Sequence, residues 1–512
     1  MDAAAPFGPL LAHDHDLAVQ SGEFAAPPYS KAAGRLGSAL VVLAGLVVFG
    51  WQVGRPGVWR DEGATLDVCQ RSLAQTFDLT RNLDLVHLAY YLLARAVWQV
   101  DDSVTAVRLI SGVAMSLAAG MLVPIGRRLG SLWVGVLAGS VLVVNPLASR
   151  YAQEARPYAI VTLLATVSTY LLLRLCEPQS GRGRQVAYAV SLALLGLFNI
   201  LALMLVVVHA AYVLVVEPRR GTRWLVPAVT GLAVITPFVL LTFTQRGQVS
   251  WITAPHIYDL RAIVTDEFGS RSASVVVVAL VVLVLATRFV LGSPLPGPNL
   301  AALVLGGAWA LLPPLMLFVE SQALPMWDEH YLVFSLPGLT LLLASVVPEV
   351  DRTYFDLRIA AAIAVPVLLL AGLGLNAQKA YRDPVFGHTE NLQDVADYLY
   401  ANAEAGDAVL FVPSELRVIE NVYPAAFNGV NDVAVAQTPL QAANLDGTPV
   451  TPAELAGRLA PYKRVWLITG VYKLPVSPGG LDPVSLHLLA TGYQAGDTRA
   501  VADITITRYT AK

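Results

Sequence analysis

Charged side chains are scarce in this sequence. Asp, Glu, Lys and Arg make up 14% of its 512 residues, where an ordinary globular domain carries about 25%. With 55% hydrophobic residues and a mean hydropathy of +0.59, that deficit excludes a single water-soluble domain and points to a polytopic membrane protein. The formal net charge of −3 lacks the basic excess that nucleic-acid binding demands. Cysteine is nearly absent. Cys69 and Cys176 fall in segments expected on opposite sides of the membrane, which excludes a disulfide between them, and there is no cysteine metal motif. No glycine-rich phosphate fingerprint occurs, and Gly479-Gly480 alone reads as a turn. The first thirty residues hold no apolar core of a signal peptide. Residues 1–34 read as a disordered cytoplasmic tail, where His13 and His15 are better explained as solvated side chains than as metal ligands.

Long apolar runs fill the space that charge leaves. They lie near 36–53, 106–124, 131–148, 158–175, 187–216, 224–243, 274–291, 300–319, 331–347 and 359–375. A straight span needs about 20 residues, so the run at 187–216, interrupted by Asn199, reads as two short helices meeting at a tight turn. That gives about eleven spans. Basic residues set the sides: Arg127-Arg128, Arg182, Arg184, Arg219-Arg220, Arg223, Arg352 and Arg358 mark cytoplasmic loops, together with Lys31 and Arg35. Arg127-Arg128 fall inside only if one crossing separates them from the loop after the first span. The stretch from Val86 to Val100 should therefore lie at the outer interface, anchored by Tyr90, Tyr91 and Trp98.

Composition changes after Ala377. The helix-period stretch Asn391 to Ala403, the buried strands Ala408–Val412 and Val465–Thr469, and the alternating strand Asp503–Thr507 describe a small α/β domain. An odd number of spans places it outside. The expected fold class is thus an α-helical polytopic membrane protein, with a transmembrane domain over 35–377 and a C-terminal extracytoplasmic α/β domain over 378–512.

This sidedness collects the unusual polar residues on the outer face. Asp61 and Glu62 follow the first span, just after the turn-rich Gly54-Arg55-Pro56-Gly57. A carboxylate at the membrane–water boundary suits a general base that takes a hydroxyl proton. Asp61 also suits the N-terminus of a helix over 63–77, where an acid satisfies free backbone donors. Asp84 and His87, at i and i+3, share one face of a helix entrance. They fit a divalent metal, an acceptor or a phosphate, or an ordinary helix cap. Between Arg150 and Tyr158, the residues Arg150, Gln153, Glu154, Arg156 and Tyr158 sit where one span ends and Pro157 opens the next. Guanidinium groups there match phosphate oxygens, and three charges in seven residues favour that role over an interfacial salt bridge with helix punctuation. His330 and Tyr331 begin a later span after Trp327-Asp328-Glu329, either facing a cavity or acting as interfacial aromatics. His209, inside a short span, is expected to pack between helices. The polar loop at 245–270, with Asp266 and Glu267, covers a substrate or merely connects spans.

At these residues the chain resembles polytopic glycosyltransferases of the GT-C fold. It is similar to the protein O-mannosyltransferase and lipid A aminoarabinose transferase group, and more closely to bacterial family-39-type mannosyltransferases. WRDEGATL at 59–66, LDLVHLAYYLL at 83–93, SRYAQEARPYAI at 149–160 and HYLVFSLPGL at 330–339 carry the resemblance, which covers about residues 35–375. The resemblance implies inverting transfer of a sugar, mannose by that analogy, from a polyprenyl-phosphate donor to a glycan, lipid or protein hydroxyl outside the cytoplasm. It also implies that Asp61 is the base and that Glu154 and Arg156 help form the substrate cavity. The chain departs from the family at two places: His330-Tyr331 stands where Arg-Tyr is usual, and Leu88-Ala89 follows His87 where a His-Pro-Pro is usual. No cofactor is required by such a transfer, and Asp84 with His87 would make a thin metal site. A lipid-linked-sugar flippase or transporter would instead show inverted repeats and polar groups near mid-membrane. A non-catalytic envelope-polysaccharide subunit would work through 378–512. No repeat is found, and the polar groups favour one face.

Overall fold

The computed structural model describes residues 31–129, 132–178, 180–249, 251–260, 297–345, 357–385, 387–470 and 481–512, with a few isolated positions between 271 and 282. The tail at 1–30, most of the run at 274–291, Asp266, Glu267, Arg352 and Gly479-Gly480 lie outside the described residues.

Helices α1 (Lys31–Gly50), α5 (Val104–Arg128), α6 (Leu132–Val144) and α8 (Tyr158–Cys176) form the centre of a helical bundle. Helix α5 packs against the other three. Around them stand α9 (Arg182–Phe198), α10 (Leu205–Val216), α11 (Gly221–Phe243), α12 (Gly297–Glu320), α13 (Leu336–Ser345) and α14 (Leu357–Ala380). Among the described residues, six helices are long and apolar enough to cross a bilayer. Helix α6 with α7 (Pro146–Ala152), bent by 66°, makes a seventh candidate. The run at 187–216 is two helices each shorter than a full crossing, with the break at Asn199 where the sequence suggests, and the described part of the run at 331–347 holds α13. Asn199 ends α9, and its side-chain oxygen accepts from the Leu201 amide to start the next turn.

One polar tie runs through the apolar interior. Trp224 Nε1 donates to the Tyr188 hydroxyl at 2.9 Å, so that hydroxyl's own proton goes to His209 Nδ1 at 2.7 Å. His209 Nε2 then donates to Thr169 Oγ1 at 3.1 Å, and Thr169 donates to the Ala165 carbonyl. Each of the side-chain polar atoms in this Trp224–Tyr188–His209–Thr169 relay finds a partner, as burial in an apolar bundle requires. His209 thus joins α8, α9, α10 and α11 as packing, the part expected of it.

The loop after α1 does not read as the sequence suggests. The helix expected over 63–77 is two helices, α2 (Arg60–Gln70) and α3 (Leu73–Asn82), because Ser72 and Gln75 form a reciprocal cap that starts the second. Trp59, not Asp61, occupies the N-cap position of α2. Helix α4 (Leu88–Trp98) is also no interfacial anchor: Tyr90 and Tyr91 are buried inside the protein. For Tyr91 the reason is polar contact, since its hydroxyl donates to Asp84 Oδ2 at 2.8 Å.

The charged loops sort to two ends. Arg128 and Arg184 both pair with Glu177, Arg223 donates to the Pro178 carbonyl, and Gly34 lies against Arg127. At the opposite end, Gln245 and Gln248 accept from the Leu85 and Asp84 amides.

The C-terminal domain is strand-containing, as expected. Helix α15 (Leu392–Asn402) precedes β1 (Ala408–Val412), and turns with the short strands β3 (Val435–Gln437) and β4 (Thr448–Pro449) lead to β5 (Arg464–Thr469) and the hairpin β6 (Tyr493–Val501) and β7 (Ile504–Ala511). With β2 (Asn431–Asp432) the sheet order is β2-β1-β5-β7-β6. The β1–β2 and β1–β5 pairs are parallel, while β7 runs antiparallel to β5 and β6. Strand β6 carries no apolar alternation because its middle is exposed along the sheet edge.

Candidate active site

The acidic pair after α1 splits into two environments. Asp61 sits in the first turn of α2 with its side chain 38% exposed. Its neighbour Glu62 is fully buried. Arg108, on α5, donates from Nε and Nη2 to the two Glu62 oxygens at 2.7 and 2.6 Å. The same guanidinium donates to the Val53, Pro56 and Gly57 carbonyls, fixing the loop that delivers α2. Glu62 also accepts from the Ala155 amide at 2.7 Å. Burial pushes this carboxyl up, but Arg108 and His388 outweigh it and hold it down to about 2. Glu62 therefore organises the site while Asp61 alone of the pair faces outward.

The loop between α7 and α8 is stitched to α2. Thr65 Oγ1 donates to the Ala155 carbonyl, and Ser111 Oγ donates to the Glu154 and Arg156 carbonyls. This holds Arg156 beside Asp61: Nη1 donates to the Asp61 carbonyl at 3.2 Å and Nη2 lies 3.7 Å from Asp61 Oδ2. The same Nη2 lies 3.0 Å from His87 Nε2. An arginine can only donate, so His87 Nε2 accepts and the imidazole proton sits on Nδ1. Burial, then the charges of Arg156 and His330, keep His87 well below its usual titration range, so it is neutral. His87 Nδ1 and Arg156 Nε are buried without partners, leaving donor groups in the site.

The other expected residues divide. Asp84 stands at the N-cap position of the turn Leu85–His87 with left-handed backbone geometry, φ 58°, but its side chain does not cap it and takes the Tyr91 hydroxyl instead. Burial raises its pKa above the ordinary carboxylate range, opposed by Arg156. Asp84 and His87 thus have separate partners. Among the described residues, no three His, Cys, Asp or Glu side chains group as a metal centre does. Tyr158 is buried with its hydroxyl unpartnered, packed against Tyr151 at 5.5 Å and His330 at 4.8 Å. His330 lies 4.3 Å from the Tyr331 ring, and its Nδ1 is 2.8 Å from Asp328. Gln153 is turned elsewhere: its amide donates to the Phe49 and Trp51 carbonyls at the end of α1. Arg150 lies over the Tyr151 and Tyr381 rings and 3.5 Å from Glu154. Glu154 is fully buried, with neither carboxylate oxygen hydrogen-bonded. Burial raises its pKa, while His388 and Arg150 oppose that.

Two residues of this cluster escape sequence reasoning. Arg108 had a signal, a lone guanidinium at the start of an apolar span, where charge is costly unless paired. His388 had none; it lies beyond the last apolar run, in a segment that looks like a connection.

No family model matches this chain, and no curated protein matches its sequence. Solved structures do. ArnT from Cupriavidus metallidurans in the apo state aligns with a TM-score of 0.58 at 15% identity, over 94% of this chain and 98% of that one. The structure of the same protein bound to undecaprenyl phosphate aligns with a TM-score of 0.50 at 14% identity, over 92% and 97%. The shared architecture is the GT-C fold.

Proposed function

We propose that this chain, built on the GT-C fold, is a multi-pass membrane glycosyltransferase that moves a sugar from a polyprenyl-phosphate donor to an acceptor hydroxyl with inversion. The observation that carries the reading is the meeting of Asp61 and Arg156, 3.7 Å apart and 95 residues distant in sequence. A carboxylate open to solvent stands beside a guanidinium with an unused donor, at the end of the bundle away from the arginine-rich loops. That arrangement supplies both needs of the reaction. Asp61 takes the proton as the acceptor oxygen bonds to the anomeric carbon. The bond from that carbon to the phosphate oxygen breaks, and the polyprenyl phosphate leaves with its added negative charge beside Arg156. The likeness to a structure bound to undecaprenyl phosphate supports a lipid-linked donor.

In this reading Glu62 holds Asp61 in place and does not react, and Asp84, His87, Tyr158, His330 and Tyr331 line the substrate cavity. Every step runs on the chain's own residues, with no cofactor required. The sugar is mannose by family resemblance. The arginine-rich end is cytoplasmic by the positive-inside rule, so the site and the domain over 378–512 face outward. The transmembrane part takes residues 35–377, and α1 already begins at Lys31, inside the segment expected as a tail.

The test is incubation of the purified protein with labelled undecaprenyl-phosphate sugars, mannose first, and a panel of hydroxyl acceptors. Sugar transfer that disappears in Asp61→Asn supports the reading. Movement of the labelled lipid between leaflets without transfer would select a flippase instead.

A further inference from the structure

The segment between α14 and α15 runs along the loop that carries Asp61. Arg382 donates to the Trp51 and Val48 carbonyls, and the Gly57 amide donates to Pro384. The Leu392 amide donates to Val58, and Glu390 takes both the amide and the guanidinium of Arg60. Gly57 and Gly63 allow this closeness. A Cβ at Gly57 would lie 2.8 Å from the Pro384 oxygen, and one at Gly63 would lie 2.8 Å from Leu392 and 2.9 Å from Val418. The C-terminal domain is thereby clamped on both sides of Asp61, at Val58 and Arg60 before it and at Gly63 after it.

His388 is the part of this strap that enters the site. It is 3% exposed and its ring lies 6.1 Å from that of Trp59. Nδ1 is 3.1 Å from the Gly57 carbonyl and 3.6 Å from Glu62 Oε2, so both of its neighbours are acceptors and Nδ1 carries a proton. Nε2 faces Glu154 Oε1 at 3.9 Å, and neither atom has any hydrogen-bond partner. The ring thus stands between the two glutamates, its Nδ1 edge toward Glu62 and its Nε2 edge toward Glu154. Glu62 is already held by Arg108, and among the described residues Glu154 has only Arg150, at 3.5 Å, as a further ion-pair partner. The imidazole is thus what links the carboxylate of α2 to that of the α7–α8 loop.

We propose that His388 is a positioning residue of the membrane site: it ties Glu62 to Glu154 and so keeps the loop bearing Arg156 against Asp61. The C-terminal domain then completes the active site. The role in turnover rests on the glycosyltransferase reading; the tie itself does not.

The test uses the full-length protein and two variants. His388→Asn keeps a donor for Gly57 but presents nothing to Glu154, and His388→Gln reaches toward Glu154. In His388→Asn, kcat for transfer from undecaprenyl-phosphate sugar should fall about 100-fold with KM for the donor unchanged, as expected when reacting groups are misplaced by an ångström or so. His388→Gln should recover part of that loss. Hydrogen exchange reads the tie without turnover. Amides of 57–62 and 153–157 should exchange faster in His388→Asn, while β1 and β5 keep their protection.

Unchanged kcat and unchanged exchange in His388→Asn would overturn the proposal. So would a change confined to KM, which would make the ring a substrate contact, or loss of protection across β1 and β5 in both variants. Wild-type protein that transfers no sugar, with faster exchange at 153–157 in the variant, would sink the glycosyltransferase reading and leave the tie standing.

Discussion

Arg108 and Glu62, 46 residues apart, form a fully buried two-pronged ion pair at 2.7 and 2.6 Å. Two charges taken out of water in this way are stable only with good geometry and with their remaining donors and acceptors satisfied. Here the three loop carbonyls and the Ala155 amide satisfy them. The pair therefore fixes the backbone on which Asp61 is presented, which sets the expected outcomes below.

Removing one partner should be far worse than removing both. Arg108→Met leaves an uncompensated buried carboxylate, at a cost of about 3–5 kcal/mol. The double variant Arg108→Met with Glu62→Met should recover part of that loss. Thermal unfolding in detergent measures both. The pair also sets an acid limit: Glu62 is held from 4.5 down to about 2. Its contribution is complete above the ordinary value and is lost as pH falls through that window.

Asp61→Asn should behave oppositely. The side chain is partly exposed and has no tight buried partner, so thermal stability should stay at the wild-type value. Transfer should fall by about 100- to 10,000-fold, the range of a lost general base. Retained turnover from a labelled lipid-linked sugar would remove Asp61 from the role of base.

Glu154→Gln should separate stability from activity. Burial holds the Glu154 pKa above its ordinary value, so the native state favours the protonated form and the charged form costs stability at neutral pH. The amide variant should unfold at higher temperature near pH 7, and the gain should shrink as pH falls and the wild-type carboxyl takes up its own proton. Turnover should drop in the same variant. Melting curves across pH, paired with transfer rates, read both effects.

Arg156→Lys keeps the charge but loses the fork that reaches Asp61 and His87 together. Affinity for undecaprenyl phosphate should weaken by about tenfold, or about 1.4 kcal/mol. Equilibrium binding of the lipid measures it, and wild-type affinity in the lysine variant would remove Arg156 from the phosphate.

Tyr188→Phe serves as the distant control. It strips His209 Nδ1 of its donor and Trp224 Nε1 of its acceptor inside the bundle. Unfolding should come earlier by about 1–3 kcal/mol, with undecaprenyl phosphate affinity unchanged.

Sequence alone determined the membrane character, most helix positions, the break at Asn199 and the strands β1, β5 and β7. These follow from apolar run length and local periodicity, which neighbouring residues set among themselves. It also brought Asp61, His87 and Arg156 forward as candidates, because charge is conspicuous beside apolar spans. Only the tertiary structure decided that Asp61 faces outward while Glu62 is locked to Arg108, that Tyr90 and Tyr91 point inward, and that Gln153 caps α1. It alone carried His388 back across more than three hundred residues to meet Gly57. Pairing of buried charges depends on which segments are packed together, and one-dimensional spacing holds no record of that.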